Sequence, residues 1–389
     1  MRILLNGAPM LGRLTGVGQY GLRLLEALAS LPADAGVEAI GVFNGRDVVG
    51  LESFLAAVRQ RPAAPRHERL KRIVRSAWPR CRDWADRWRR LRLASQTKQA
   101  SWSLFHETNF VSPQFELPLV TTVHDMSYLR FPQFLPKDRL AWLRRRMGAT
   151  LARSRVIVTD SRFTRDELLE LCPAVNPSQV LVTHLGVDLE YYSDPAHEAR
   201  IEAVRDRLTL PRQFILYLGT LEPRKNLQGL IQAYQTLPPA LQREYPLVLA
   251  GMSGWKQNYF RGALDGLRNR GVLHEIGYVD EADVPALMKA AAVFCFPSLY
   301  EGFGLPPLEA AACGTPVLSS RAASLPEVLG DAAVYVDPNS PEEISAGLVR
   351  LLGDEPLRQS LKAAGKARAA LFPWENCARQ TVAAYRQAA

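Results

Sequence analysis

Short apolar, β-branched segments alternate with amphipathic helical stretches along the whole chain. This alternation predicts strands joined by helices, which is typical of parallel, doubly wound sheets. A charged stretch without apolar strands, Asp188–Arg212, divides the predicted strands into two sets. The first set is Arg2–Asn6, Val37–Phe43, Leu104–Glu107, Leu119–Asp125, Val156–Asp160 and Val180–His184; the second is Phe214–Gly219, Leu247–Gly251, Leu273–Tyr278, Val293–Pro297, Pro316–Ser319 and Ala333–Val336.

Two such sets indicate an α/β chain with two Rossmann-like, doubly wound domains. Its 389 residues exceed the size of one ordinary core and fit two domains. We expect an N-terminal domain over residues 1–190, a linker over 191–212 and a C-terminal domain over 213–372. A final helix, 373–389, starts at the break made by Pro373.

Composition limits the class of protein. A hydrophobic content of 47% with 22% charged residues is typical of a globular chain, and no run of 18 apolar residues could span a bilayer. The five cysteines are scattered and form no metal-ligand pattern. Reduced thiols in a cytoplasmic protein are therefore expected.

The excess positive charge lies in one segment. Residues 61–98 carry thirteen Lys and Arg against three acidic residues, whereas the whole chain has a net charge of +9. Trp78, Trp84 and Trp88 lie between these cations, which favours an amphipathic helix on an anionic membrane surface. A solvated helix without a partner is the alternative. A nucleic-acid site is electrostatically possible, but no recognition motif accompanies the charge, so no nucleic-acid partner is expected.

The segment Tyr300–Glu309 places two carboxylates around a glycine-rich turn at a predicted helix start. Gly302 and Gly304 let the backbone approach a ligand, and the helix start offers N–H donors suited to phosphate. Since phosphate repels carboxylates, the two glutamates are predicted to hold neutral sugar hydroxyls. Glu309 suits a ribose diol and Glu301 a hexose. The alternative is an ordinary loop with solvated glutamates.

Two cations follow another predicted strand. Arg224 and Lys225 lie in the segment Leu218–Asn226, directly after an apolar run. A guanidinium fork and an ammonium point charge both suit a diphosphate. The alternative is a surface turn with solvated side chains.

His124 and Asp125 end the apolar strand Leu119–Val123, and Asn109 and His106 end the strand before it. The carboxyl ends of parallel strands border the ligand crevice in doubly wound sheets, so His124 is a candidate site residue. A lone histidine is more often structural.

The loop Gly16–Gly21 matches the G-x-G-x-x-G pattern, but about nine residues separate it from the first strand, and no acidic residue ends the second strand. We therefore interpret it as a loop that opens a helix over Val17–Ser30. Gly16 and Gly18 are either site residues or plain helix-start glycines.

Together these segments resemble the motifs of retaining glycosyltransferases of the GT-B fold, specifically family four, which includes many bacterial mannosyl- and glucosyltransferases. The resemblance covers nearly the whole chain and is most specific in its C-terminal half. It implies two domains facing each other across a cleft, with the final helix packed on the N-terminal domain.

The resemblance also implies residue roles. Glu309 would bind the ribose, Glu301 and His124 the transferred hexose, and Arg224 and Lys225 the leaving diphosphate. It gives a catalytic set of His124, Glu301, Arg224 and Lys225, a donor-binding set of Gly16, Gly18, Tyr278, Val279, Gly302, Phe303, Gly304, Leu305 and Glu309, and an acceptor side with Asn109 and Asp125.

The expected reaction is the transfer of a hexose from a nucleotide-sugar to a glycan or lipid-linked acceptor in bacterial cell-surface polysaccharide synthesis. Retention is implied by the resemblance. The chain contains no Asp-x-Asp, so we expect no metal and no other cofactor. The segments Thr220–Asn226 and Ser324–Val328 resemble those of members that act on GDP-mannose. We expect a peripheral protein on the inner face of the plasma membrane.

Two other functions fit parts of the sequence. A nucleotide-sugar epimerase would consume the donor without an acceptor. A non-catalytic carbohydrate- or nucleic-acid-binding module would leave the donor unchanged.

Overall fold

The computed structural model describes residues 1–12, 14–60, 87–88, 91–97, 101–113, 116–252 and 261–389. The predicted membrane segment 61–98 lies mostly outside the described residues. The chain divides into two compact units. The first unit comprises Met1–Arg130, Lys137–Leu185 and Trp374–Ala389, and the second comprises Phe131–Pro136 and Gly186–Pro373.

The first unit is built on a sheet that has seven strands in the described part of the chain. Its order is β3-β2-β1-β4-β5-β6-β7, with β3 antiparallel to β2 and the other pairs parallel. The strands are β1 Arg2–Asn6, β2 Ala39–Phe43, β3 Val48–Gly50, β4 Leu104–Glu107, β5 Leu119–Val123, β6 Ser154–Thr159 and β7 Val180–Val182. The helices are Gly16–Ala29, Leu51–Arg59, Ser127–Arg130, Lys137–Arg153, Arg162–Leu171 and Trp374–Ala388.

The core of the first unit lies on both faces of this sheet. Every residue of β5 is buried, as expected for a parallel strand covered on both sides. The final helix, Trp374–Ala388, packs on β5, β6 and the helix Gly16–Ala29. The expectation that the final helix returns to the N-terminal domain is therefore confirmed.

The second unit is built on a sheet of six parallel strands within the described residues, in the order β10-β9-β8-β11-β12-β13. The strands are β8 Ile215–Leu218, β9 Leu247–Ala250, β10 Leu273–Gly277, β11 Val293–Phe296, β12 Val317–Ser320 and β13 Ala333–Val336. The helices are Leu189–Ser193, Ala196–Ala199, Ile201–Leu208, Leu227–Gln235, Pro239–Glu244, Arg261–Asn269, Val284–Ala290, Leu305–Ala312, Leu325–Leu329, Pro341–Gly353 and Glu355–Ala369.

The α/β fold with two doubly wound sheets is confirmed, with every predicted strand present and ends that differ by up to two residues. The strand Val48–Gly50 was not predicted, because three residues are too short for an alternation to show. The stretch expected as a linker, 191–212, is helical over much of its length and lies inside the second unit. Its charged residues lie on short amphipathic helices instead of an extended connection.

Among the described residues, no helix combines the length and the apolar character needed to cross a membrane.

Candidate active site

The predicted donor residues of the second unit lie where its strand order reverses. The strands β8 and β11 are neighbours at the centre of the sheet, and the chain winds outward in opposite directions from them. In doubly wound sheets, ligands bind at the carboxyl ends of the strands at this point. Arg224 and Lys225 follow β8, and Glu301 follows β11.

Two cations and two carboxylates meet at this edge, and we call Glu222, Arg224, Lys225 and Glu301 the charge cluster. The Nζ atom of Lys225 lies 2.6 Å from Oε1 of Glu301, and Nη1 of Arg224 lies 3.1 Å from its Oε2. Nη2 of Arg224 is 2.9 Å from Oε1 of Glu222. Nη1 also donates to the carbonyl of Tyr300 at 2.7 Å. The sequence predicted Arg224, Lys225 and Glu301 as separate ligand contacts, and the structure brings them together with Glu222 as one cluster.

The charge cluster is shielded from solvent. The side chains of Glu301, Lys225 and Arg224 are only 8%, 12% and 17% exposed. Burial alone would raise the pKa of Glu301, but the charges of Lys225 and Arg224 and the hydrogen bond from Lys225 outweigh it, so this pKa is lowered. Glu301 is therefore an ionised, acceptor-only group at neutral pH.

Asn226 fixes the turn that carries the two cations. It adopts a left-handed conformation with φ of 57° and begins the helix Leu227–Gln235. Its Nδ2 atom donates to the carbonyls of Pro297 at 3.0 Å and Pro338 at 2.6 Å, and its Oδ1 accepts from the N–H of Gly229. Asn226 thus ties the end of β8 to the segment after β11. No role was predicted for Asn226 from the sequence.

The loop after Glu301 is held from behind and opens a helix. The hydroxyl of Ser324 lies 2.9 Å from the carbonyl oxygens of both Glu301 and Phe303 and donates to them. Gly304 has φ of +108°, and a Cβ there would lie 2.6 Å from Leu325. A glycine is therefore favoured at position 304 both by the positive φ and by the lack of space for a Cβ beside Leu325.

The backbone donors at this helix start are few. Pro306 and Pro307 occupy the first turn of Leu305–Ala312 and carry no N–H. The donors available to an anion therefore come from Gly304 and Leu305, the residues that the sequence predicted for the phosphate. Gly302 and Phe303 are buried, and the Phe303 ring packs edge-on against Phe372.

Glycines also shape the neighbouring strand ends. Gly251 has φ of +133°, and a Cβ there would lie 1.9 Å from the carbonyl oxygen of Gly219. The ends of β8 and β9 therefore approach more closely than a side chain would allow. After β10, Tyr278 is 40% exposed and Val279 is buried. Gly251 was not predicted as a residue that shapes the site, although its position directly after an apolar strand could have indicated this.

Glu309 lies in the helix Leu305–Ala312, and burial together with the nearby Glu309 carboxylate raises the pKa of Tyr192. Tyr192 is buried and lies on the short helix Leu189–Ser193, far away in the sequence. The predicted ribose ligand thus has a buried neighbour that was not predicted from the sequence.

In the first unit, His124 is buried and uses both ring nitrogens. Nδ1 lies 2.7 Å from Oδ2 of Asp160, and Nε2 lies 2.9 Å from the carbonyl oxygen of Thr108. The Thr108 carbonyl can only accept, so Nε2 donates to it, and Nδ1 shares a proton with the Asp160 carboxyl group. Burial lowers the pKa of His124, but the charge of Asp160 and its hydrogen bond outweigh this effect and raise it. Tyr20 and Phe110 flank the ring edge-on.

Comparisons with known proteins agree with this geometry. A family model described as Glycosyltransferase Family 4 matches residues 14–191, and one described as Glycosyl transferases group 1 matches residues 201–368. The chain is 35% identical over 404 residues to O-antigen chain mannosyltransferase B of Escherichia coli, with 99% of this chain and 100% of that protein covered. The chain belongs to glycosyltransferase family 4.

Solved structures share the fold of this glycosyltransferase. Sucrose-phosphate synthase of Thermosynechococcus elongatus has a TM-score of 0.73 at 21% identity, with 100% of this chain and 98% of that chain covered. Anabaena HepE, solved in complex with UDP and glucose, has a TM-score of 0.71 at 17% identity and 98% coverage of both chains. The GT-B fold expected from the sequence is confirmed.

Asp160 is a residue of the glycosyltransferase that sequence reasoning did not single out. It follows β6 and pairs with His124, and its second carboxylate oxygen has no hydrogen-bond partner among the described residues. Burial raises its pKa. The sequence feature that could have identified Asp160 is the polar run Thr-Asp-Ser after an apolar strand. This run resembles the His-Asp pair that follows β5.

His106 of the glycosyltransferase lies in β4, and its side chain is in the interior of the first unit. It is fully buried, with Nδ1 2.8 Å from the hydroxyl of Tyr385 and Nε2 2.8 Å from Oγ1 of Thr122. Burial, with a smaller effect from His124, lowers the pKa of His106 to about 3. His106 joins the final helix to the sheet as a neutral ring.

The remaining predicted residues of the first unit lie near strand ends and a helix start. Asn109 and Asp125 are half-buried, and Asp125 accepts from the N–H of Ser127. Gly16 is exposed with open space around its Cβ position, whereas a Cβ on Gly18 would meet the carbonyl oxygen of Pro9 at 3.2 Å.

No group of three or more His, Cys, Asp or Glu suited to a metal ion occurs in the part of the glycosyltransferase that the structure describes.

Proposed function

We propose that this glycosyltransferase transfers mannose from GDP-mannose to a growing O-antigen glycan, with retention at the anomeric carbon and without a metal ion. The observation that carries the proposal is the charge cluster at the switch point of the second sheet. Mannose and the O-antigen acceptor are supported by the similarity to O-antigen chain mannosyltransferase B, which spans that whole protein.

In this proposal, the two cations neutralise the diphosphate. Lys225 has three donors, so it can keep Glu301 and also bind a phosphate oxygen. Arg224 is oriented by Glu222 and by a backbone carbonyl, which fixes its guanidinium before a ligand arrives. As the bond between the sugar and the phosphate breaks, these cations and the N–H groups of Gly304 and Leu305 stabilise the charge that develops on the leaving group.

Glu301 would hold the transferred hexose. Its lowered pKa keeps it ionised, so it accepts hydrogen bonds from sugar hydroxyls. Both of its oxygens face cations at 2.6 and 3.1 Å, which argues against a role as a covalent nucleophile. Retention would then come from attack on the face that the phosphate leaves. The acceptor oxygen bonds to the anomeric carbon while the departing diphosphate takes the acceptor proton.

His124 stays a proposed contact of the hexose. Because both of its nitrogens are hydrogen-bonded to protein groups, a sugar hydroxyl must replace one of these partners or contact the ring edge.

We also propose a cytoplasmic enzyme that attaches to the inner face of the plasma membrane through residues 61–98. Two exposed apolar side chains at the described end of this segment support attachment: Trp88 is 38% and Leu91 is 59% exposed. Arginines beside them suit anionic lipid headgroups.

The test is a transfer assay with labelled GDP-mannose and an O-antigen acceptor, with and without a chelator. We expect a rate of transfer that the chelator does not change. We also expect the anomeric configuration of the new linkage, measured by NMR, to be the same as that of the donor sugar. Donor loss without an acceptor would instead indicate an epimerase. An untouched donor would indicate a binding module and overturn the proposal.

A further inference from the structure

A second cleft lies at the amino edge of the sheet in the second unit. It has a volume of about 530 Å³, and all of its lining residues belong to that unit. Arg212 and Gln213 come just before β8, Ala290–Ala292 come directly before β11, and Gly314 comes shortly before β12. Because these strands are parallel, the charge cluster follows the opposite ends of β8 and β11. We call this cavity the amino-edge cleft, and it is separate from the candidate active site.

The lining of the amino-edge cleft is polar and has more cations than carboxylates. The cations are Arg205, Arg212, Lys289, Arg358 and Lys362, and the carboxylates are Glu198, Glu202 and Glu355. The excess of positive charge favours an anion over a neutral ligand or a cation. Carboxylates repel phosphate but accept hydrogen bonds from hydroxyl groups. The mixture therefore suits a ligand that carries both phosphate and hydroxyl groups.

Lys289 is the most buried of these cations. Its side chain is 5% exposed, and its Nζ atom lies 3.3 Å from the carbonyl oxygen of Ser193 and 3.6 Å from Oε1 of Glu198. Only the first of these distances is that of a hydrogen bond, so the ammonium uses one of its three donors on groups in the described part of the chain. A buried charge is costly without a close partner of opposite sign, and a phosphate oxygen would supply one.

Two guanidinium groups of the cleft are held in place before any ligand arrives. The side chains of Arg205 and Arg358 are 19% and 17% exposed, and each pairs with a carboxylate three residues earlier in the chain, Glu202 and Glu355. Nη1 of Arg358 also donates to the carbonyl of Leu352 at 2.6 Å. Guanidinium groups that are already oriented lose little conformational entropy when they bind an anion.

We propose that the amino-edge cleft is a second ligand site of this glycosyltransferase and that it binds the phosphomonoester of a small polyhydroxylated molecule, such as a sugar phosphate. Lys289 binds the phosphate together with Arg212 and Lys362, which lie nearer to the solvent. Glu198 accepts hydrogen bonds from the hydroxyl groups. The volume of the cleft suits a small-molecule ligand. This inference goes beyond the proposed function, because the donor site lies at the opposite edge of the sheet.

The experiment is a calorimetric titration of the full chain with mannose 6-phosphate, mannose or inorganic phosphate, each with and without saturating GDP. GDP closes the donor site to these probes. Lys289→Gln removes the buried charge, and Lys362→Gln changes a more exposed cation of the cleft, so the test remains open if Lys289→Gln does not fold. Arg350→Gln is the matched control, because it neutralises an exposed cation of the same unit outside the cleft. Thermal unfolding shows which variants fold.

We expect mannose 6-phosphate to bind equally well with and without GDP, and mannose and inorganic phosphate to bind at least about tenfold more weakly. Lys289→Gln should weaken the binding of mannose 6-phosphate about tenfold, as the loss of one charge-assisted hydrogen bond predicts, and Lys362→Gln about threefold. GDP should bind to both variants as it does to the wild type. Arg350→Gln should match the wild type throughout.

Several results would overturn this inference. Mannose 6-phosphate that does not bind at millimolar concentration, or that GDP displaces, would show that the cleft is not a separate site for it. Binding that is unchanged in both cleft variants would place the ligand elsewhere. Equal affinity for inorganic phosphate would overturn the assignment to a polyhydroxylated ligand. A wild-type chain that binds mannose 6-phosphate but not GDP would overturn the proposed function alone.

Discussion

Replacing Glu301 with Gln should change protein stability, donor binding and transfer in different ways, because this carboxylate pairs with two cations. The substitution removes the charge that pairs with Lys225 at 2.6 Å and with Arg224 at 3.1 Å. Breaking a buried ion pair costs about 3–5 kcal/mol. Arg224 keeps Glu222, and the Gln amide oxygen still accepts one bond. We therefore expect a loss of about 2–3 kcal/mol in the free energy of unfolding of the second unit.

The same variant should bind the diphosphate at least as well as the wild type. In the unliganded enzyme the Glu301 carboxylate competes with phosphate for Lys225 and Arg224. Without that competition, we expect GDP to bind about three- to tenfold more tightly. Transfer should nevertheless fall by about a hundredfold, because the hexose loses its charged acceptor and its orientation.

Three assays measure these effects: urea unfolding, calorimetry with GDP and transfer from GDP-mannose. Glu342→Gln is the control, since it neutralises an exposed glutamate of the same unit. If Glu301→Gln weakened GDP binding as much as Lys225→Ala does, the competition between carboxylate and phosphate would be refuted.

Three further perturbations follow from the structure. Asn226→Ala removes two hydrogen bonds to buried carbonyls, so we expect about 2–4 kcal/mol lower stability and weaker GDP binding; calorimetric binding equal to the wild type would contradict this. Gly304→Ala places a Cβ 2.6 Å from Leu325 at positive φ and should lower kcat/KM at least about tenfold, whereas Gly353→Ala, with open space, should not. In the folded state, His106 has a pKa of about 3, below its value near 6.5 in the unfolded state. Between these two values the unfolded state binds more protons, so the free energy of unfolding falls as the pH drops. Urea unfolding at about pH 7, 5.5 and 4.5 should show a shallower loss in His106→Gln, and equal slopes would contradict the assignment.

The fold was predictable because buried parallel strands leave a local signal. Runs such as Leu119–Val123 are apolar or β-branched at every position, and all of their residues are buried in the sheet. The strand Val48–Gly50 has only three residues and lies at the edge of the sheet. Because none of them is fully buried, the strand shows no alternation of buried and exposed residues in the sequence. The short helices of 191–212 are charged on their outer faces, so their inner contacts were invisible without the tertiary structure.

The site was predictable in its residues but not in its pairings. The chemistry and position of Arg224, Lys225 and Glu301 indicated a diphosphate and sugar site, yet their mutual ion pairs depend on the neighbouring strands β8 and β11. The pair of His124 with Asp160 and the proximity of Glu309 to Tyr192 join distant segments in the same way. Their partners carried no motif of their own.

The most direct measurement is a crystal structure of the enzyme in complex with GDP-mannose. We expect diphosphate density within hydrogen-bonding distance of Lys225 and Arg224, with the ribose on the Glu309 carboxylate and the mannose beside Glu301. A donor bound away from the carboxyl ends of β8 and β11, or no ordered donor at saturating concentration, would contradict this expectation.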